Sequence, residues 1–530
     1  MHATLQLDDV ALLSERGQHL AALDAARSLL ATNPSSTRII GMYGRAALDA
    51  GCAVEAASVL AHAVQLHRGW APGWRLLGEA HLANGERQSA VDALKTAIEL
   101  DPDQVTAWLH LATAVSQAHD PVPAHTVLTA CAGRFPLEPE PHANLAVVCE
   151  QLRRLDDAET HARWALKLQP DQPRARMVLA RVHRQRGQHD EARRHLQGVI
   201  EQPDLPMELA IAARFELAPL LDQTGDCDAA WAMLQTGHRL RRQLAAFQRC
   251  DRLSTPMDLA RARTWAQSAR LPCPIDEQPP GFVVGFPRSG TTLVQQLLEA
   301  HPDLRTQDEI PLLQRITESL PTLLGRAFNY PNDLQTLTVA DRRNIIAVWR
   351  TAVDRMLPRP GRVIDKLPLN FAWLPLALTL FPDAKVLMVV RDPRDVMTSA
   401  IYQNFVPNDA MVHLSDLHSA ARLYCRVMET WDALRLIPNV NTREQRYEDL
   451  LDDPETVARD MLAFFGCAWA PEVLDFHVAA RTKVIATPSA QAVSEPINRR
   501  ALGRWRRHER PLRGVQRVLE PWLDRFGYRA

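Results

Sequence analysis

Along the first half of the chain, apolar and small residues fall at the i, i+3, i+4, i+7 spacing of amphipathic helices, and this helical pattern itself recurs in a fixed frame. With Trp74 at the fourth position of a 34-residue frame, Leu77, Gly78, His81, Ala90, Leu94, Ala97 and Pro102 fill later positions of the pattern. The frame continues without a break through Trp108, Leu111, Ala112, Ala124, Leu128 and Pro136, then Leu145, Ala146, Ala158, Ala165 and Pro170, then Leu179, Ala180, Ala192 and Leu196. Tyr43, Gly44, Ala56 and Ala63 make a weaker earlier copy, and Ala22 and Pro34 mark a degenerate first one suited to a cap. After a small slip, Leu217, Ala218, Gly225, Ala230 and Leu234 make another. Small residues at two fixed positions let the two helices of a pair approach closely, larger ones fill the gap to the next pair, and the prolines end each pair. An all-helical solenoid is predicted over residues 1–244.

The pattern then changes. Pro256-Met257-Asp258-Leu259 reads as a helix start, and Leu271-Pro272-Cys273-Pro274 followed by Gln278-Pro279-Pro280 reads as an extended connector, so residues 245–280 are expected to be a linker with a capping helix. From Gly281 onward, short apolar runs alternate with helical spacing. Phe282–Gly285 reads as a buried strand, Phe286–Gly290 as a tight turn and Thr291–Ala300 as an amphipathic helix. Arg362–Asp365 reads as a short strand and Asn370–Leu380 as a helix. Lys385–Val390, KVLMVV, is the continuous apolar run of a parallel strand covered on both faces, and a helix with proline in its first turn follows. Residues 281–530 are therefore predicted to form an α/β domain with a parallel sheet.

A chain of 530 residues exceeds one compact domain, in keeping with this division. The formal net charge of −1 provides no global field for nucleic acid or an anionic membrane. No stretch approaches the ~18–20 uninterrupted apolar residues of a membrane span, and the start is acidic where a signal peptide would be basic, so a cytoplasmic location is expected. The eight cysteines show neither C-x-x-C pairs nor metal-ligand spacing, which favours free thiols.

The chemistry centres on the strand-turn-helix at 282–300. Unpaired N–H groups at a helix start, with the positive end of the helix dipole behind them, form a site for a phosphate or sulfate group. Gly285 and Gly290 have the spacing of the two glycines in a nucleotide-binding P-loop, but Thr291 stands where the phosphate-binding lysine should be. Arg288 supplies a planar fork able to hold two oxygens of a tetrahedral anion.

The repeat frame resembles that of the tetratricopeptide repeats. PRSGTT after a strand resembles the 5′-phosphosulfate loop of sulfotransferases, which use 3′-phosphoadenosine 5′-phosphosulfate (PAPS) as donor. The order PRSGTT, a helix ending at His301-Pro302-Asp303, and the acidic stretch Thr306–Glu309 is similar to that of the tyrosylprotein sulfotransferases. The resemblance implies that Pro287, Arg288, Ser289, Gly290, Thr291 and Thr292 bind the donor's 5′ end, and that Arg391 and Ser399 bind its 3′-phosphate. By the same comparison Tyr447, in a segment read as a strand ending in Tyr-Glu-Asp-Leu, contacts the nucleotide, and Arg504 is the basic residue of a late closing loop. Glu309 falls on the position of the catalytic base, while Lys366 and Ser489 are placed to stabilise charge on the departing nucleotide. No metal is implied. Pro311 stands where the tyrosylprotein enzymes have an arginine used on acidic peptide substrates, although Arg315 matches another basic position.

The expected activity is transfer of a sulfuryl group from PAPS to an acceptor hydroxyl, such as a peptide or protein tyrosine, with the repeats holding a protein or peptide partner. Two alternatives stand beside it. One is a repeat scaffold whose α/β domain binds adenosine nucleotides without turnover. The other is a nucleotide kinase with a degenerate P-loop, for which Asp392 would be the metal-binding acid.

Overall fold

The computed structural model describes residues 7–116, 120–307, 309–480 and 495–528. The chain divides into two compact units, 1–213 and 214–530. The boundary drawn from sequence at 244/245 falls inside the second.

In the first unit, consecutive helices pair as the frame predicts: Ala71–Ala83 with Arg87–Leu100, Val105–Ser116 with Pro121–Arg134, Pro139–Gln151 with Leu155–Leu168, and Pro173–Gln185 with His189–Ile200. The small positions are where helices of a pair touch. A Cβ on Gly78 would lie 2.5 Å from Leu94 Cγ, and Ala90, Ala124, Ala158 and Ala192 are fully buried. The fourth position of the frame has a second role. Trp74 Nε1 donates to Arg68 O and Trp108 Nε1 to Pro102 O, both at 3.0 Å, and Arg176 Nη2 donates to Pro170 O at 2.9 Å. A long donor at this position therefore satisfies a carbonyl of the preceding turn, which the hydrophobic pattern alone does not explain.

The second unit contains a five-stranded parallel sheet of β1 (Gly281–Gly285), β2 (Leu304–Gln307), β3 (Arg362–Lys366), β4 (Lys385–Val390) and β5 (Asn441–Arg446), in the order β2-β3-β1-β4-β5. Alternate residues of the central strands feed two cores. Phe282, Val284, Val386 and Met388 pack into one, and Val283, Ile364, Leu387 and Val389 into the other. Both faces are covered, as continuous apolar runs require. β1 and β4 are neighbours, and the connection from β1 runs to β2 on one side while that from β4 runs to β5 on the other, the place where open α/β sheets form a crevice. Gly285 pairs with Val389, Val283 with Lys366, and Val390 with Arg446. This register aligns the carboxyl ends of β1, β3, β4 and β5 along one edge.

Two local expectations need correction. β5 ends at Arg446, where its partner β4 also ends, so Tyr447-Glu448-Asp449-Leu450 opens the helix Tyr447–Asp452 rather than closing a strand. The predicted Asn370–Leu380 helix is a 3₁₀ turn, Asn370–Ala372, followed by the helix Leu374–Leu380, whose first turn holds Pro375.

The second unit opens with the last turns of the helix Met207–Gln223 and the helix Cys227–Arg241. These belong to the final repeat copy read from sequence, yet they pack on the α/β domain through specific polar contacts. His238 Nε2 meets Ile401 O at 2.9 Å, Arg241 donates to Phe405 O, and Arg242 Nη1 donates to Ser415 O at 3.2 Å. Arg241 is 1% exposed, and burial lowers its pKa to about 10. A chain beginning at Met207 should therefore unfold in urea as the second unit of the full protein does. One beginning at Ala245 should lose at least about 3 kcal/mol, because buried groups lose their partners; equal stability of the two would refute the assignment of this hairpin to the second unit.

Candidate active site

At the carboxyl edge of the sheet the loop after β1 turns sharply. Arg288 takes φ 76° and Gly290 φ 105°, and the helix Thr291–Glu299 starts immediately after. A left-handed arginine is sterically costly, so its surroundings must hold it there. Those surroundings are specific: Arg288 Nε donates to Ser399 Oγ at 3.1 Å, and Arg391 Nη1 donates to Arg288 O at 3.2 Å. Gly290 cannot be replaced without conflict, since a Cβ there would lie 2.3 Å from the ring of Tyr447. Arg391 in turn has its guanidinium carbon 5.0 Å from the centroid of the Tyr447 ring.

This brings together residues that lie more than a hundred positions apart in sequence. Arg288 and Arg391 are close enough that burial first, and then Arg391, lower the pKa of Arg288 to about 10. The carboxylate nearest to Arg391 is Asp395, at 3.9 Å, and its oxygens already accept from Gly503 N at 2.7 Å and Trp505 N at 2.9 Å. Two buried polar atoms, Ser289 Oγ and Arg391 Nε, have no partner among the described residues. The half-buried Arg288, the buried Arg391 with its orphan N–H, and a helix amino end therefore meet along one cavity wall. Such a set fits a phosphate or sulfate ester.

Glu309 lies just beyond the end of β2, and Lys366 ends β3. Lys366 Nζ donates to Glu309 Oε1 at 2.6 Å; the lysine side chain is 0% exposed and the glutamate side chain 36%. The two residues nominated separately for catalysis thus form one ion pair, with the lysine buried and the carboxylate facing the opening. Beside them Asp365 is buried, with Oδ2 unpartnered among the described residues and Oδ1 3.4 Å from Asn370 Nδ2. Burial raises its pKa to about 7, against the opposing pull of Lys366.

A cavity of about 1140 Å³ opens over this edge. Pro287, Arg288, Gly290, Thr291, Thr292, Glu309, Arg391, Ser399, Tyr447 and Arg504 all line it. Its size exceeds the ~300–1000 Å³ of a typical single-ligand pocket and gives room for two reactants. Ser489 lies outside the described residues. Of the two positions compared with acidic-peptide readers, Pro311 lines the cavity, whereas Arg315 is exposed and outside it. Asp392, the acid a kinase would place on a metal, accepts from Arg394 N at 2.9 Å and pairs with the Arg394 guanidinium at 2.7 Å.

Three contributors escape a reading by motif. Asp395 pins the segment around Gly503 through two backbone N–H groups, and its place in the first turn of the helix that follows Arg391 is the signal that could have found it. Asp222 pairs with Arg504 at 2.8 Å. The segment 403–411, held by Arg241, supplies Phe405, Asn408 and Met411 to the cavity wall.

Residues 279–471 match the model of the sulfotransferase family, and residues 71–114 and 124–206 match models of the tetratricopeptide repeat. An uncharacterized protein of Aquifex aeolicus is 28% identical over 348 residues, covering 62% of this chain and 44% of that protein. The protein-tyrosine sulfotransferase of Drosophila melanogaster is 27% identical over 252 residues, 43% of this chain and 47% of the relative. Protein-tyrosine sulfotransferase 1 of Danio rerio is 29% identical over 260 residues, 47% of this chain and 71% of the relative. The chain spans about half the length of the first two. A tetratricopeptide array followed by a sulfotransferase-family segment is thus the architecture on which the site is built. Among the described residues, no helix is long and apolar enough to cross a membrane.

The buried Asp365 makes a pH prediction. Its folded pKa of about 7 lies above that of the unfolded chain, so its contribution is most favourable below about pH 4 and is lost as pH rises toward 7. Asp365→Asn should flatten the pH dependence of the melting temperature between about pH 4 and 7, and should stabilise the protein at pH 7.5 by on the order of 2–4 kcal/mol. Unchanged stability at pH 7.5 would show that the carboxyl is solvated.

Proposed function

We propose that the second unit transfers a sulfuryl group from PAPS to an acceptor hydroxyl, with a peptide or protein tyrosine as the leading acceptor class. The observation that carries this reading is the convergence of Arg288, Ser399 and Arg391 on one cationic cradle, with Glu309, paired to Lys366, lining the same cavity. When bound, the donor supplies an activated sulfuryl group on a phosphate leaving group. The residues fit it: the loop amides at 289–292 with Arg288 hold the 5′ end, Arg391 and Ser399 the 3′-phosphate, and Tyr447 the nucleotide.

Glu309 is the base. Its carboxylate faces the cavity, and Lys366 fixes its orientation from below, so it accepts the acceptor's hydroxyl proton at Oε1 or Oε2. Lys366, already buried beside the site, adds a fixed positive charge where negative charge develops. A phenol, with an ordinary pKa of about 10, is within reach of a carboxylate base. Pro311 on the cavity wall and Arg315 outside it mean that neither of these two positions brings a cation to the cavity.

The repeats recruit a protein or peptide partner in this reading. Its support is a polar ladder crossing successive repeats, in which Arg45 Nη2 and His110 Nδ1 reach Glu79 at 2.7 and 3.1 Å. We place the protein in the cytoplasm, a reading supported by its eight free cysteines.

Calorimetric titration with 3′-phosphoadenosine 5′-phosphate tests the assignment. Arg288→Ala and Ser399→Ala should each weaken binding, and Glu309→Gln should leave it within about twofold while transfer to a tyrosine peptide falls by roughly 10²–10⁴. Nucleotide binding without turnover on any acceptor would support an adenosine-nucleotide-binding scaffold instead. Magnesium-dependent turnover of ATP would support a kinase.

A further inference from the structure

The cavity's rim is shared between two segments that lie far apart in sequence. Asp222, in the helix Met207–Gln223, is 1% exposed. Its Oδ2 accepts from Arg504 Nε at 2.8 Å and lies 3.2 Å from Arg507 Nη2, and its backbone carbonyl accepts from Arg507 Nη1 at 3.0 Å. Its Oδ1 lies 3.2 Å from His508 Nε2. The Arg504 guanidinium also covers the ring of Tyr402, 3.8 Å from its centroid, and the Tyr402 hydroxyl lies 3.2 Å from His508 Nε2. Arg504 is thus held by a carboxylate and an aromatic face at once, and it lines the cavity together with Arg288 and Arg391. Burial alone would raise the pKa of Asp222, but His508, Arg504 and Arg507 bring it down to about 2, so the carboxylate is charged at every physiological pH.

We propose that Asp222 is a positioning residue for the donor: it fixes Arg504 at the cavity rim, which makes the last helical hairpin of the repeat array part of the donor-binding machinery. The inference rests on the reading of the cavity as the PAPS site. A long arginine side chain left free loses rotamer freedom on binding an anion, whereas one already clamped does not, so the clamp lowers the cost of binding. Tyr402 caps the helix that carries Ser399, so the clamp is also tied to a proposed 3′-phosphate contact. Cys227 Sγ lies 3.5 Å from Asp222 Oδ1, and Asp222, Cys227 and His508 are close enough together to consider a metal. Two guanidiniums already neutralise the carboxylate, and a divalent cation would face both of them.

The test is titration of the full chain with 3′-phosphoadenosine 5′-phosphate, in wild type, Asp222→Asn, Arg504→Ala and the double variant, each checked by thermal melting. Asp222→Asn and Arg504→Ala should each weaken binding on the order of tenfold, and the double variant should bind no more weakly than the worse single one. A merely structural role for Asp222 predicts additive effects. Additivity, or wild-type affinity in Asp222→Asn while Arg504→Ala is weakened, overturns the proposal. If Asp222→Asn fails to fold, Asp222→Glu takes its place, and weakened binding at an unchanged melting temperature is then expected, with wild-type affinity as the refuting result. A wild type that binds no nucleotide removes the PAPS reading and this proposal with it. Stoichiometric zinc binding that is lost in Cys227→Ser would replace the clamp with a metal centre.

Discussion

Two guanidinium groups, that of the half-buried Arg288 and that of the buried Arg391, sit beside each other at the carboxyl edge of a parallel sheet, and much of the second unit serves to keep them there. Burial and mutual repulsion both disfavour this arrangement, and Arg288 also bears the cost of a left-handed backbone. What holds it is a set of fixed contacts: Ser399 on one arginine, the backbone carbonyls of Arg288 and Ala501 and the face of Tyr447 on the other. Concentrated positive charge at a helix amino end has an evident use in binding a multiply charged anion. The same constraint explains Gly290, whose missing side chain is the space Tyr447 occupies.

The sheet places the reacting groups. Its register aligns the ends of β1, β3, β4 and β5, and the segments that follow them carry Arg288, Lys366, Arg391 and Tyr447 to one side. Glu309, the proposed base, comes from beyond β2, at the far edge, and reaches the group through its ion pair with Lys366. The sixth contribution comes from outside the sheet. The hairpin of residues 214–242 holds the segment 401–415 by backbone contacts and Arg504 by Asp222, so one wall of the cavity is built from helices that the repeat frame assigns to the solenoid.

Most of this architecture is legible in the sequence because it depends on periodic patterns. The repeat frame gives the helix pairs, and the apolar runs 282–285 and 385–390 give the two central strands. β5 has no such signal: its sequence, Asn-Thr-Arg-Glu-Gln-Arg, is that of an exposed edge strand with a single buried side chain, Gln445. The site divides in the same way. Residues on the strand-turn-helix were found because spacing fixes them, and Arg391 and Ser399 because an arginine at a strand end and a serine along the following helix resemble the family's pair. Pairings across the fold leave no local trace, so nothing in the spelling of the chain shows that Lys366 meets Glu309. Nor does it show that Asp222 meets Arg504 from 282 positions away. For the same reason a boundary placed at residue 244, where the repeat frame ends, carries no sign of the contacts that group residues 214–244 with the rest of the second unit.

The most direct test of the account is a crystal structure of the full chain with 3′-phosphoadenosine 5′-phosphate. The account predicts the 5′-phosphate on the backbone amides of residues 289–292 beside Arg288, the 3′-phosphate on Arg391 and Ser399, and Arg504 still paired with Asp222. A nucleotide bound in the opposite sense, or outside this cavity, would contradict it.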